Sequence, residues 1–221
     1  MIVVYTTERE YPWGTLRSTN ASKVKIVLEE KGLEYRVERM RPGDLWKKPP
    51  EFLAKHPLGK VPYIEHDDVL IYDSTVINEY LEDAYPSPPL MPRGVVERAQ
   101  ARMLENFCDE AILVGNLPAV WMPYWSPPEQ RNLERMEQSR AGLRKRALPY
   151  LERTIGAQDY LCGDFSLADV GTMVMAMVFQ VDGFDVSAFP RTAAYLERLR
   201  ERPSYRCISP TTALTDSAGR A

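Results

Sequence analysis

Two short polar clusters, Ser18-Thr19-Asn20 and Asp73-Ser74, stand immediately before runs with helical spacing. At a helix N-terminus the first amides are unpaired and the dipole is positive, so side chains there either cap the helix or help to hold an anion. Both uses are open at both clusters, because Ser, Asn and Asp are also the commonest caps. Ser166-Leu167-Ala168-Asp169 has the spacing of a capping box. Pro62 by itself reads as a proline starting an edge strand, and Lys60 as a solvated lysine at a strand end. Cys108, Cys162 and Cys207 are odd in number and far apart. That argues against a disulfide framework and for a reducing compartment, with each thiol a small apolar filler. Neither His56 nor His66 has a partner at metal-ligand spacing, which predicts no metal.

The elements that must carry these groups follow from periodicity. Ile2 to Tyr5 is a short apolar strand, and Thr6 to Leu16, polar and containing Pro12 and Gly14, reads as a loop. Ala21, Val24, Val27, Leu28 and Lys31 then recur at helical spacing, with Gly32 where a C-cap glycine belongs. Tyr35 to Arg39 alternates as a half-buried strand, completing a β-α-β unit. Val61 to Ile64 and Val69 to Tyr72 flank His66-Asp67-Asp68 as a hairpin, and a helix from Asp73-Ser74 should bury Val76, Ile77, Tyr80 and Leu81. The proline-dense stretch 86–92 marks a linker between an α/β domain, residues 1–85, and an all-helical domain, residues 93–221. Within the latter, helices are expected over 94–116, 128–155, 166–180 and 190–201, with Val170 to Phe179 as a buried spine and the last dozen residues, ending Asp216 to Ala221, as a loose tail. This order of elements is compatible with a thioredoxin-like α/β domain followed by an all-α domain.

Composition closes off some classes of function. Of 221 residues, 44% are hydrophobic and 27% charged, which is ordinary for a soluble globular protein. A net charge of −3 offers no basic field for nucleic acid or an anionic membrane surface. The apolar start is too short for a signal-peptide core and no run approaches a membrane span, so a cytoplasmic protein is expected.

Taken together, several segments resemble the glutathione transferase superfamily, in its cytosolic, bacterial, serine-using form. They are Ser18 to Val24 with Leu28 to Leu33, His56-Pro57-Leu58-Gly59-Lys60-Val61-Pro62, Tyr72-Asp73-Ser74 with Ile77, Glu79, Tyr80 and Leu81, and Ser166 to Asp169. Each is weak alone; their order and their placement on the elements above make the combination specific.

The resemblance implies a site for glutathione as co-substrate. Val61, before a cis Pro62, would pair its backbone with the cysteinyl part like one more strand. Lys60 would meet the glycyl carboxylate, Ser74 the γ-glutamyl carboxylate, and Asp73 the γ-glutamyl ammonium. A thiol with a pKa of about 8.5 is mostly protonated at neutral pH, so the enzyme must stabilise its thiolate. The resemblance assigns that role to Ser18, with Asn20 second; Tyr5, Thr6, Thr7 and Tyr11 remain alternative donors. The electrophile would lie against Tyr11, Trp13, Phe107, Trp121 and Tyr124, each equally readable as core, and the Trp-bearing loop suggests an aromatic, apolar substrate. A homodimer is implied, with no nucleic-acid or membrane partner. The implied reaction is conjugation to an electrophile, or a related ether cleavage, dehalogenation or peroxide reduction; a glutathione-binding protein without turnover is the other class.

Overall fold

The structure, a computed structural model, describes residues 1–40 and 47–214, the side chains of 113–117 aside. The chain forms two compact units, one of Met1–Pro88 with the segment from Arg206, the other Pro89–Tyr205. The break falls inside the proline-dense stretch. Residues from Arg206 onward, expected in the helical domain, group instead with the first unit. The reason is hydrogen bonding to the backbone of the returning segment: Thr15 N donates to Pro210 O at 3.0 Å, and the Arg17 guanidinium donates to Ser209 O and Thr212 O at 2.7 Å each. The loose tail expected over the last dozen residues is corrected as far as Leu214: Pro210 O, Thr212 O and the Leu214 amide are all bonded to the first unit's hairpin, and the rest of the tail lies outside the described residues.

In the first unit β1 (Ile2–Thr6) is central. It pairs in parallel with β4 (Tyr35–Arg39) and antiparallel with β5 (Tyr63–His66), which continues antiparallel to β6 (Val69–Tyr72). The sheet order is β4-β1-β5-β6. Helix α1 (Thr19–Glu30) supplies the crossover, and its run Ala21–Leu28 is buried throughout, lysines included. It ends at Lys31, with Gly32 following at φ +63°, a conformation open to glycine at little cost. A short helix α2 (Pro50–Lys55) precedes β5, and α3 (Ser74–Ala84) follows β6.

Three expectations are corrected here. The polar stretch after β1 is not a loop but a hairpin, β2 (Glu8–Tyr11) with β3 (Gly14–Arg17), turning at Pro12-Trp13. It lacks a clear apolar alternation because much of its buried face is polar: Thr15 and Arg17 are buried beside Leu16, and Glu8 is enclosed by basic side chains. Strand β5 begins at Tyr63 rather than Val61, since Val61-Pro62 is cis and proline brings no N–H to a ladder. On α3 the buried stripe is Ser74, Ile77, Asn78, Leu81 and Glu82, so Val76 faces out at 54% exposure and Tyr80 is half-buried. Glu82 turns inward because Lys31 meets it at 2.7 Å.

The second unit is helical: α4 (Val95–Phe107) runs into a π-helical stretch Cys108–Asn116, then α5 (Leu117–Trp121), α6 (Leu133–Gly142), a second π stretch Leu143–Ala147, α7 (Leu148–Ile155), α8 (Leu167–Asp182) and α9 (Pro190–Glu201). Helix α8 is the spine, buried from Leu167 to Phe179 and started by the Ser166/Asp169 capping box. No helix among the described residues is long and apolar enough to cross a membrane.

Candidate functional site

Register brings the expected groups to one end of the first unit's sheet. Tyr5 of β1 is opposite Tyr63 of β5, and Tyr63 is opposite Tyr72 of β6. The residues just beyond these pairs are therefore neighbours: Thr6 at the end of β1 with Thr7, Val61-Pro62 before β5, and Asp73-Ser74 after β6. Ser18 joins them, because its amide donates to Thr7 O at 2.9 Å. Lys23, fully buried in α1, donates to Thr75 Oγ1 at 3.3 Å and links the first turns of α1 and α3.

Ser18 is the N-cap of α1, and its Oγ accepts from Ala21 N at 3.3 Å. Thr19 and Asn20 are half-buried in the first turn. Asp73 is the N-cap of α3 at φ +74°, with one carboxylate oxygen accepting from Thr75 N at 3.0 Å and Val76 N at 3.3 Å. Ser74, 5% exposed, is the first helical residue, so its amide is one of the helix's unpaired donors. The Val61-Pro62 bond is cis; Val61 is half-buried and Lys60 exposed.

The loop before this bond is supported by His56, whose segment marked the site in the sequence without revealing this role. His56 is 5% exposed, its ring packs 4.8 Å from Tyr72, and its Nδ1 accepts from Leu58 N at 3.2 Å. Burial, then the positive charge of Lys60, lowers its pKa and keeps it neutral, as that acceptor role requires. Lys48 donates to Leu58 O at 2.9 Å, and Gly59 sits at φ +56°, where an added Cβ would meet the Lys48 side chain at 2.8 Å. The signal was the His-Pro spacing from Val61-Pro62, which a search for metal ligands passes over.

Of the alternative donors, Tyr5 is committed elsewhere. Its hydroxyl donates to Glu65 Oε2 at 2.8 Å, and burial together with that carboxylate pushes its pKa up to about 12. Thr6 and Thr7 are buried. Tyr11 and Trp13 stack on each other at 4.9 Å beside the hairpin turn; Trp13 is separated from Ser18 by the length of β3, about 13 Å at 3.3 Å per residue. Phe107, Trp121 and Tyr124 belong to the second unit. There Phe107 lies 4.2 Å from the Tyr150 ring, Trp121 is 3% exposed, and the Tyr124 hydroxyl donates to Asp182 at 2.9 Å. Trp121 and Tyr124 thus serve that unit's core, and Phe107 is half-buried. Among the described residues no group of three or more His, Cys, Asp or Glu side chains is placed to hold a metal ion.

Comparison with known proteins agrees with this geometry at the level of family. Residues 14–89 match the family described as "Glutathione S-transferase, N-terminal domain" and residues 115–203 that described as "Glutathione S-transferase, C-terminal domain". A maleylacetoacetate isomerase of Pseudomonas aeruginosa is 30% identical over 88% of this chain and 92% of its own length. Glutathione S-transferase 2 of Saccharomyces cerevisiae is 29% identical over 84% and 83%. A theta class glutathione S-transferase from Xanthomonas axonopodis pv. citri, solved with glutathione bound, is similar in fold with a TM-score of 0.81 at 22% identity, covering 97% of this chain and 99% of that one.

Proposed function

Because the chain belongs to the glutathione S-transferase superfamily, we propose that it binds glutathione and activates its thiol for attack on a hydrophobic, aromatic electrophile. The observation that carries this reading is the meeting of Ser18, Val61-Pro62 and Asp73-Ser74 beyond one end of one sheet.

Each group has chemistry suited to a part of the tripeptide. The backbone of Val61 precedes β5 and extends its line, so an extended cysteinyl residue pairs with it as a short added strand. The free amide and hydroxyl of Ser74, at the positive end of α3, receive the γ-glutamyl carboxylate. Asp73 uses one oxygen for capping, which leaves its second for the γ-glutamyl ammonium. Lys60 is exposed and long enough to meet the glycyl carboxylate.

Ser18 serves two purposes at once. Its Oγ accepts from Ala21 N through a lone pair, which leaves the hydroxyl hydrogen to be donated. Donated to the glutathione sulfur, it favours the thiolate, and every 1.4 kcal/mol of preference lowers the thiol pKa by about one unit. Asn20 is the second donor in this turn. For the electrophile the reading keeps the stacked Tyr11 and Trp13 of the first unit and the half-buried Phe107 of the second, while Trp121 and Tyr124 belong to the second unit's core. Lyase, dehalogenase and peroxidase chemistry would use the same thiolate. A homodimer fits the exposed Val69, Leu70, Tyr72 and Val76 of the first unit and Val95, Val96 and Met103 of the second, which need cover. A cytoplasmic, detoxifying role follows from the same reading.

The other reading is glutathione binding without turnover, in which Ser18 acts as the helix cap alone. The thiolate absorbance of bound glutathione, titrated in the parent, Ser18→Ala and Asn20→Ala, separates the two. A pKa well below 8.5 in the parent, restored by one substitution, supports the transferase. An unshifted thiol under saturation would establish the binding protein.

A further inference from the structure

The first unit contains a cavity of about 750 Å³ away from the cis proline and the start of α3. Its walls are edge strand β4, the C-terminal half of α1, the base of the β2-β3 hairpin and residues from the segment 206–214. None of Ser18, Val61, Pro62, Asp73 or Ser74 lines it.

The charge arrangement in this cavity is unusual. Glu8, whose side chain is 1% exposed, sits among Lys25 Nζ at 2.7 Å, Arg39 Nε at 3.2 Å and Arg17 Nε at 3.9 Å. One buried carboxylate is therefore surrounded by three basic groups. Of the other carboxylates in the walls, Glu29 accepts the Tyr35 hydroxyl at 2.8 Å. Arg17 turns its terminal nitrogens to the carbonyls of Ser209 and Thr212, so it holds the wall together.

Arg39 and Arg206 are placed differently. Arg39 uses Nε toward Glu8, and its two terminal nitrogens bond no described residue; the guanidinium of Arg206 bonds none either. Two planar, permanently charged forks thus border one cavity. Beneath them three basic groups, Lys25, Arg17 and Arg39, face the single charge of Glu8, so the cluster keeps an excess of positive charge that an anion would offset. The rest of the wall is mixed: Leu33, Val37 and Leu214 are its apolar part, beside Glu34, Thr212 and Arg36, which pairs with Glu38.

We propose that this cavity is a second ligand site, which takes a small organic phosphate monoester bearing an apolar or aromatic group. Two guanidinium forks approaching from different elements match a tetrahedral dianion with three outer oxygens better than a planar carboxylate. The wall's apolar part receives the ester's organic group. The site is separate from that proposed for glutathione, so its occupancy does not depend on the transferase reading.

Phenyl phosphate, titrated into the full chain by calorimetry, tests this with and without saturating glutathione. One phenyl phosphate is expected per chain, with affinity lowered about tenfold or more in Arg39→Gln and in Arg206→Gln, the loss of one charge-assisted bond. Glutathione should leave it unchanged. Arg206 is exposed and bonds no described residue, so its replacement does not disturb folding and keeps the test sound. Absence of saturation below about 10 mM, equal binding by Arg206→Gln, or competition with glutathione would each overturn the proposal. So would binding that arises only when the chain is ended at Leu214, because the cluster would then serve the protein's own terminus.

Discussion

The Tyr195 hydroxyl donates to Asp169 Oδ1 at 2.7 Å, joining helices α9 and α8 through two fully buried side chains. Asp169 also accepts from Leu161 N and Ser166 N at 2.9 Å each, so one carboxylate secures a loop, a helix start and a helix contact. Removing it strands several donors. Asp169→Ala should destabilise the chain by about 3–5 kcal/mol, and Tyr195→Phe by about 1–2 kcal/mol, in urea unfolding followed by circular dichroism.

The same group sets a pH dependence. Burial, outweighing the hydrogen bonds, raises Asp169 from 3.8 to about 6. Between these values the native state binds the proton more tightly than the unfolded state, so this group's contribution falls as pH rises through the window. The effect amounts to about 3 kcal/mol. Comparing unfolding at pH 4.5 and pH 6.5 in the parent and in Asp169→Asn should show a parent-specific loss toward the higher pH; identical slopes would refute the assignment.

His56 has the opposite sign. Its lowered pKa means that the native state excludes the proton that the unfolded imidazole binds near 6.5, so stability is lost as pH falls below that value. Protonation also removes the acceptor for Leu58 N, in the loop leading to Val61-Pro62. Glutathione affinity should therefore weaken on acidification, and His56→Asn, which offers an acceptor without a titration, should flatten the profile in fluorescence binding.

Lys31 and Glu82 form a buried pair whose ammonium also donates to Tyr85 O at 2.7 Å and Pro88 O at 3.0 Å. Lys31→Met removes the ammonium that faces this buried carboxylate and should cost about 3–5 kcal/mol, whereas Lys31→Met with Glu82→Leu should cost much less. A double-mutant cycle with no coupling between them would contradict this.

At Ser18, capping and thiolate stabilisation separate by substitution. Ser18→Ala should cost about 1 kcal/mol of stability as well as the thiol shift, while Ser18→Asn keeps the cap within about 0.5 kcal/mol yet loses the hydroxyl. Thermal unfolding alongside thiolate titration of the two variants reads both effects. A Ser18→Ala variant with a fully retained shift would move the role to another donor.

Local signals in the chain determined much. Gly32 after a helical stripe, the capping box at Ser166, the turn at Asp67-Asp68 and the apolar run from Val170 to Phe179 each act within a few residues, so their order reveals a β-α-β and β-β-α domain before a helical one. The segments around Ser18, His56 to Pro62 and Asp73-Ser74 likewise marked the candidate glutathione site. Folding decided what depends on distant partners. The hairpin of β2 and β3 carries a polar buried face, and Glu8 becomes intelligible only when Lys25, Arg17 and Arg39 converge on it from three other elements. Tyr5 ceases to be a plausible thiol activator only when strand pairing brings Glu65 to its hydroxyl, and Arg206 reaches the first unit only because Arg17 bonds the carbonyls of the returning segment. Buried charge is placed by its counter-ions, and counter-ions far apart in the chain have no periodicity to read.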